Sequence, residues 1–276
     1  MAARPVFILS SGRSGSASLA RLLGRHAEIE MHHEYLCTHL QEAGVRFYMG
    51  HADAAATRAV IDRLHGAALA YARTPLWGDS SNKLSWVAPL LVEMFPNARF
   101  VHLMRDGRKV AGSYARKLSD ECYGDYETAC LAAWAADPTL PAPPPEKRFW
   151  WPLPRPGHPL AERFSRFTQF ERIAFHWAEC NAVALDALAS VPEERRLSLR
   201  LEDLRAHPRH VHGLLDFLGL TPMGDEFALL QRPFNVNRPE DRPLTPDELR
   251  RFLAIAGEMM DRLGYSERDE YVVDYA

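Results

Sequence analysis

Two stretches of the chain hold residue types and spacings from which chemistry can be built. The first is Gly12-Arg13-Ser14-Gly15-Ser16, which follows the apolar run Val6-Phe7-Ile8-Leu9 and leads through Ala17 and Ser18 to Leu19. The second is Arg105-Asp106-Gly107-Arg108, which follows an apolar run ending at Met104 and has Ser113 on the stretch behind it. A strand, a glycine-rich turn and a helix start make a cradle for an anion. The first N–H groups of a helix have no internal partner, and the helix dipole is positive there. Gly12 and Gly15 permit the backbone turns that aim those groups at one point. Arg13 adds a guanidinium fork matched to phosphate or sulfate oxygens. Ser14, Ser16 and Ser18 add hydroxyls. The loop departs from the Walker A pattern, because no lysine follows its second glycine.

Such groups need elements to bring them together. The pattern predicts a first strand at 6–9 and a helix from about Leu19. A short second strand ends near His32, and a mainly helical stretch covers 35–72. A third strand at 76–80 leads to Ser81-Asn82-Lys83, and a helix from about Trp86 to Met94 stops at Pro96. A strong strand at 98–104 is followed by a helix over 109–118. Further on come a long helix at 168–188, a last strand at 196–201 and a helix at 211–218 ended by Gly219. The C-terminal helix opens on Thr245-Pro246-Asp247-Glu248, a cap residue, a first-turn proline and a capping-box glutamate in order, and Gly264 closes it. Strand–helix alternation predicts an α/β fold, a parallel sheet with helices on both faces. Ligands of such sheets sit beyond the carboxyl ends of the strands. The cradle, Glu34, Lys83 and Arg105 all follow predicted strands, so they should converge on one crevice. Residues 137–160 break the pattern with nine prolines and the pair Trp150-Trp151. They read either as a surface excursion or as a loop over the site, its tryptophans facing an acceptor.

The length of 276 residues and a charged fraction of 25% fit a globular protein, read here as one domain over 1–276 with an insertion at 137–160. A net charge of −3 gives no argument for nucleic acid or membrane surfaces, so any anion binding must be local. Cys37, Cys122, Cys130 and Cys180 lack C-x-x-C spacing and read as reduced thiols, which points to a cytoplasmic protein. No apolar run approaches the ~18 residues of a membrane span. The cradle lies where a signal-peptide cleavage site would fall, so no leader is expected. Oligomeric state is not legible.

With both loops in view, the chain resembles the PAPS-dependent sulfotransferases, most closely bacterial members whose first loop carries arginine. The resemblance implies a P-loop NTPase-like sulfotransferase fold and transfer of a sulfuryl group from PAPS to a hydroxyl, or an amine, of a small-molecule, lipid or carbohydrate acceptor, leaving 3′,5′-ADP. It implies that Gly12, Arg13, Ser14, Gly15, Ser16 and Ala17 hold the 5′-phosphosulfate end. Arg105 and Ser113 match the family's 3′-phosphate grip. His26 to Glu34 resembles the family's run to a carboxylate base, with Ala27 where proline is usual. Lys83 matches a lysine placed before the helix that leads to the 3′-phosphate strand. Leu199-Arg200-Leu201-Glu202-Asp203-Leu204 is similar to a family strand ending Tyr-Glu-Asp-Leu, with Leu201 in place of the tyrosine. The stretch 233–265 also resembles family members; Asn235 and Asn237 read either as lining the donor pocket or as structural residues of that loop.

Sulfuryl transfer requires positioning and fixed positive charge, as phosphoryl transfer does. On this reading Arg13 grips the phosphosulfate and Lys83 the bridging oxygen or sulfuryl group. The base is Glu34, His33 or His32, in that order of preference. No metal is required. Trp150, Trp151 and His32 are candidates for acceptor contact. Two other classes remain: a P-loop-type kinase or phosphotransferase, which lacks here both its lysine and a clear Walker B aspartate, and a non-catalytic nucleotide-binding module.

Overall fold

The computed structural model describes residues 3–232 and 243–270. Asn235 and Asn237 lie outside the described residues. Five strands form one all-parallel sheet: β1 (Arg4–Leu9), β2 (Ile29–His33), β3 (Leu76–Ser81), β4 (Arg99–Met104) and β5 (Arg196–Arg200). The order across the sheet is β2-β3-β1-β4-β5. In the N-terminal half the helices are α1 (Ser16–Leu23), α2 (Cys37–Tyr48), α3 (Ala54–Ile61), α4 (Ala67–Tyr71), α5 (Ala88–Met94), α6 (Gly107–Lys117) and α7 (Asp125–Ala136). Then come α8 (Ala161–Phe164), α9 (Gln169–Leu188), α10 (Leu201–Ala206), α11 (Pro208–Leu218), α12 (Glu226–Gln231) and α13 (Pro246–Arg262).

A strand covered on both faces must be apolar on both, and β1 and β4 are. Val6, Ile8, Val101 and Leu103 pack against Leu19, Leu22 and Leu23 of α1 and Val211, Leu214 and Leu215 of α11. Phe7, Leu9 and Phe100 face the other way, onto Leu90 and Leu91 of α5 and Ala184 and Leu188 of α9. A further cluster joins α6, α9 and α13 through Val110, Ile173, Trp177, Phe252 and Met260. The capping box expected at Thr245 and Glu248 opens α13, and Thr168 and Glu171 form another at α9.

The chain runs from β1 to one side of the sheet and returns to its other side with β4. This reversal of direction opens a crevice at the carboxyl ends of β1 and β4. The stretch 35–72 is mainly helical as expected, in three helices and a π-helical turn, Asp62–Gly66, with a break before Asp53 caps α3. Other sequence expectations need correction. Leu201 opens α10 instead of ending β5, because β5 stops where its partner β4 does. The helix α7 carried no sequence signal, and its alanine-rich surface shows no strong apolar stripe.

The tryptophan pair of the proline-rich segment is buried. Trp150 is 1% exposed and Trp151 is 5% exposed. Trp150 packs against Trp134 and donates its indole N–H to the Pro144 carbonyl at 2.8 Å. Trp151 packs against Tyr114, Tyr123 and His176 and donates to the Glu121 carbonyl at 2.7 Å. Proline excludes regular ladders from this segment, but its aromatic rings still find core positions, so the tryptophans do not form an exposed acceptor platform.

Candidate active site

The loop after β1 passes through the left-handed region at Gly12 (φ 76°), Arg13 (φ 55°) and Gly15 (φ 84°). A Cβ on Gly12 would fall 2.1 Å from Tyr114 Oη, so the close approach of that tyrosine requires glycine. Among the described residues no side chain caps α1, which leaves its first-turn N–H groups available to an anion. The loop is held from beneath by buried groups. Tyr114 Oη donates to the Ser11 carbonyl at 3.0 Å, and Asn82 Nδ2 donates to Tyr114 Oη at 3.2 Å. His176 Nε2 donates to the same Ser11 carbonyl at 2.9 Å. Burial lowers His176 to about 3, so its ring is neutral and its hydrogen sits on Nε2.

The second grip meets the first. Arg105 Nη1 donates to the Arg13 carbonyl at 2.8 Å, and Arg13 Nε donates to Ser113 Oγ at 3.0 Å. Residues 92 and 100 positions apart are therefore in direct contact. Two features position Arg105. It follows β4 directly, and its own carbonyl accepts the Trp177 indole N–H at 3.1 Å. Its Nε is buried without a hydrogen-bond partner among the described residues. A buried guanidinium N–H without a partner, beside a second arginine, suits an anionic ligand with several oxygens. Burial, and then the neighbouring Arg105 charge, lower the Arg13 guanidinium from its usual range, partly offset by Tyr114. Asp106 caps α6 and holds Arg108 through both carboxylate oxygens, so these two pair with each other. Glu202 accepts the Asp106 N–H at 3.0 Å and the Tyr265 hydroxyl at 3.0 Å. Leu201 packs on the loop, 2.6 Å from where a Cβ on Gly15 would stand.

Glu34 and Lys83 lie at the ends of β2 and β3. Lys83 is 1% exposed. Its ammonium donates to Asn82 Oδ1 at 2.7 Å, stands 3.7 Å from Glu34 Oε1 and lies over the Trp151 ring at 4.9 Å. Burial pulls it down to about 8, against the opposing attraction of Glu34. Glu34 Oε2 accepts from Lys147 Nζ at 2.9 Å. Burial opposes ionisation of Glu34, but Lys83 and Lys147 outweigh it and hold the carboxyl at about 2. His33, its neighbour, is exposed and donates Nδ1–H to the Ser80 carbonyl at 2.8 Å. That bond leaves Nε2 as the acceptor of the neutral ring. His32 faces elsewhere: it bonds Glu30 at 3.0 Å and packs on Tyr35 and Trp77.

The sequence expectations thus divide. Arg13, Arg105, Ser113 and the loop glycines meet, as do Glu34 and Lys83. Ser14 turns its hydroxyl inward onto the Gly12 carbonyl at 3.1 Å. Trp150 lies in the core, and Trp151, itself buried, meets the site through Lys83, Tyr114 and His176. Tyr114, Asn82, His176 and Lys147 were not foreseen. Tyr114 adjoins Ser113 in sequence and could have been suspected; Lys147 carries no local signal. Among the described residues no group of three metal-ligating side chains converges.

A parallel sheet with a glycine-rich loop after its central strand and a converging basic pair defines a P-loop-like α/β fold. Residues 5–138, just under half of the chain, match the model of the Sulfotransferase family. The solved sulfotransferase from Alicyclobacillus acidocaldarius superposes with a TM-score of 0.50 at 16% identity, covering 98% of this chain and 98% of that one. Sulfotransferase STF9 from Mycobacterium avium gives a TM-score of 0.50 at 12% identity, covering 95% of this chain and 77% of that one. At those identities the likeness is one of fold. No curated protein matches the sequence significantly.

Proposed function

We propose that the protein transfers the sulfuryl group of PAPS to a hydroxyl of a small-molecule acceptor, as a single domain acting in the cytoplasm of a bacterium. The observation that carries this reading is the direct contact of Arg105 and Ser113 with Arg13. Two anion grips on separate loops meet at one edge of the sheet, as a donor charged at both ends requires. The unpartnered Arg105 Nε, the left-handed loop and the uncapped α1 fit the two phosphate groups of such a donor.

The groups of the chain then divide the work. Arg13 and the N–H groups of Gly12–Ala17 hold the phosphosulfate end, and Arg105 and Ser113 hold the 3′-phosphate. Lys83 places a positive charge where the bridging oxygen gains negative charge as its bond to sulfur breaks. Glu34 takes the proton of the acceptor hydroxyl as that oxygen bonds to sulfur, with His33 Nε2 as the alternative acceptor. The test is sulfation by labelled PAPS across a panel of phenols, alkyl alcohols and amines, with and without magnesium. Sulfated product without added metal supports the reading. ATP turnover that requires magnesium, with no sulfation, overturns it in favour of a phosphotransferase.

A further inference from the structure

The proline-rich segment has a use besides packing. Its 3₁₀ turn, Lys147–Phe149, is clamped at both ends by one side chain of α2. Gln41 Nε2 donates to the carbonyls of Lys147, at 3.1 Å, and of Trp150. Trp150 is sunk among Trp134 and the Arg46 guanidinium, which lies 4.9 Å from its ring. Beyond the turn, His158 bonds Glu179 at 3.2 Å, and Tyr48 donates to the same carboxylate at 2.8 Å. The segment is therefore anchored without any help from Lys147. Yet Lys147 leaves this fixed turn and reaches Glu34 Oε2 at 2.9 Å. An ion pair with side chains still 36% and 25% exposed adds modest stability, and the segment is fixed without it.

Glu34 is held from several elements at once. Its N–H donates to the Ser80 carbonyl at 3.1 Å from a left-handed backbone (φ 55°). Oε1 faces Lys83 from the end of β3, and Oε2 takes Lys147 and, at 3.6 Å, the Cys37 thiol of α2. His33, Arg13 and Tyr114 are the other titratable groups whose fields reach it. We propose that Lys147 is a positioning residue: it fixes one oxygen of Glu34 so that the other faces Lys83 and the acceptor hydroxyl, and the proline-rich segment serves to deliver it. This rests on Glu34 as the proton acceptor of the sulfuryl transfer.

The experiment compares Lys147→Met and Lys147→Arg with the wild-type chain. Turnover of a phenol from the panel, affinity for 3′,5′-ADP, thermal midpoint and the pH profile of kcat/KM are measured. Glu34 ionisation is followed by ¹³C NMR of glutamate-labelled protein, assigned with Glu34→Gln. Loss of Lys147 should lower kcat roughly 10- to 100-fold, leave 3′,5′-ADP affinity within about twofold, and move the Glu34 titration upward. Lys147 also depresses Lys83, so the alkaline limb should move upward as well. Lys147→Arg should recover most of the turnover. A lower thermal midpoint with unchanged kcat and pH limbs would reduce Lys147 to a structural tie. Loss of 3′,5′-ADP affinity in step with kcat would assign it to the donor grip. If the wild type sulfates nothing, the transfer reading fails, while an unmoved Glu34 titration in Lys147→Met overturns the coupling on its own.

Discussion

A lysine ammonium taken out of water loses hydration that neighbouring charges must replace. For Lys83 the replacement is incomplete, so burial draws its ammonium down to about 8. If its charge stabilises the leaving oxygen, kcat/KM must fall as pH rises through about 8, since that profile reports groups of the free enzyme. Replacing Glu34 by Gln removes the attraction that supports the charge, so the residual alkaline limb should shift to lower pH. Glu34 itself, held at about 2, stays ionised across the neutral range and gives no acid limb there. An acid limb near neutrality that Glu34→Gln leaves intact and His33→Asn abolishes would move the base to His33. Arg105→Ala should weaken 3′,5′-ADP binding by about 2 kcal/mol, roughly thirtyfold, by isothermal titration; unchanged affinity would remove Arg105 from the site. At this scale the sequence was informative where the signal was local. Arg13 and Arg105 each follow an apolar run, and a parallel sheet aligns such ends. Lys147 stayed hidden because its partner lies 113 positions away and no periodicity marks it.

Loops and turns carry the next set of consequences. Gly12 and Gly15 both have positive φ, but what surrounds them differs. A methyl on Gly12 meets the hydroxyl of buried Tyr114, which is bonded on both sides. A methyl on Gly15 meets the flexible end of Leu201. Gly12→Ala should therefore cost more 3′,5′-ADP affinity than Gly15→Ala, and equal losses would show that φ alone decides. Trp150→Ala should lower the unfolding free energy by roughly 3–5 kcal/mol in urea, because it empties a core position and orphans the Pro144 carbonyl. A loss under about 1 kcal/mol would mean the ring is only a surface cover. That burial was not legible in the sequence. Proline density says that a segment forms no ladder, and it says nothing about where the aromatic rings between the prolines are placed. The helices with capping boxes, α9 and α13, were legible; α7, nearly uniform around its axis, was not.

For the molecule as a whole, acid should be the weak side. His102, in the middle of β4, bonds Asn181 at 2.8 Å, and burial lowers it to about 4. His176 is lowered to about 3. Unfolded histidines take up protons near pH ~6.5, so between there and about pH 4 the unfolded chain holds more protons. Folding stability is complete above that window and falls as pH drops through it, by up to about 2 kcal/mol per histidine at pH 5. Urea midpoints at pH 7 and pH 5 should show the fall, and His102→Asn with His176→Asn should flatten it. A flat wild-type profile would mean both rings reach water. The sheet that buries His102 was readable from strand–helix alternation, since burial on both faces demands nearly continuous apolar runs. Its strand order was not, because order depends on contacts between strands far apart in the chain.

Arg13 and Arg105 stand close enough for each to feel the other's charge. Any doubly charged oxyanion that settles between them relieves that repulsion and favours the native chain by mass action. Protein handled in sulfate or phosphate should then melt higher, and take up the nucleotide more weakly, than the same preparation in chloride. Buffer composition thus becomes a competitor in every affinity measured on this protein.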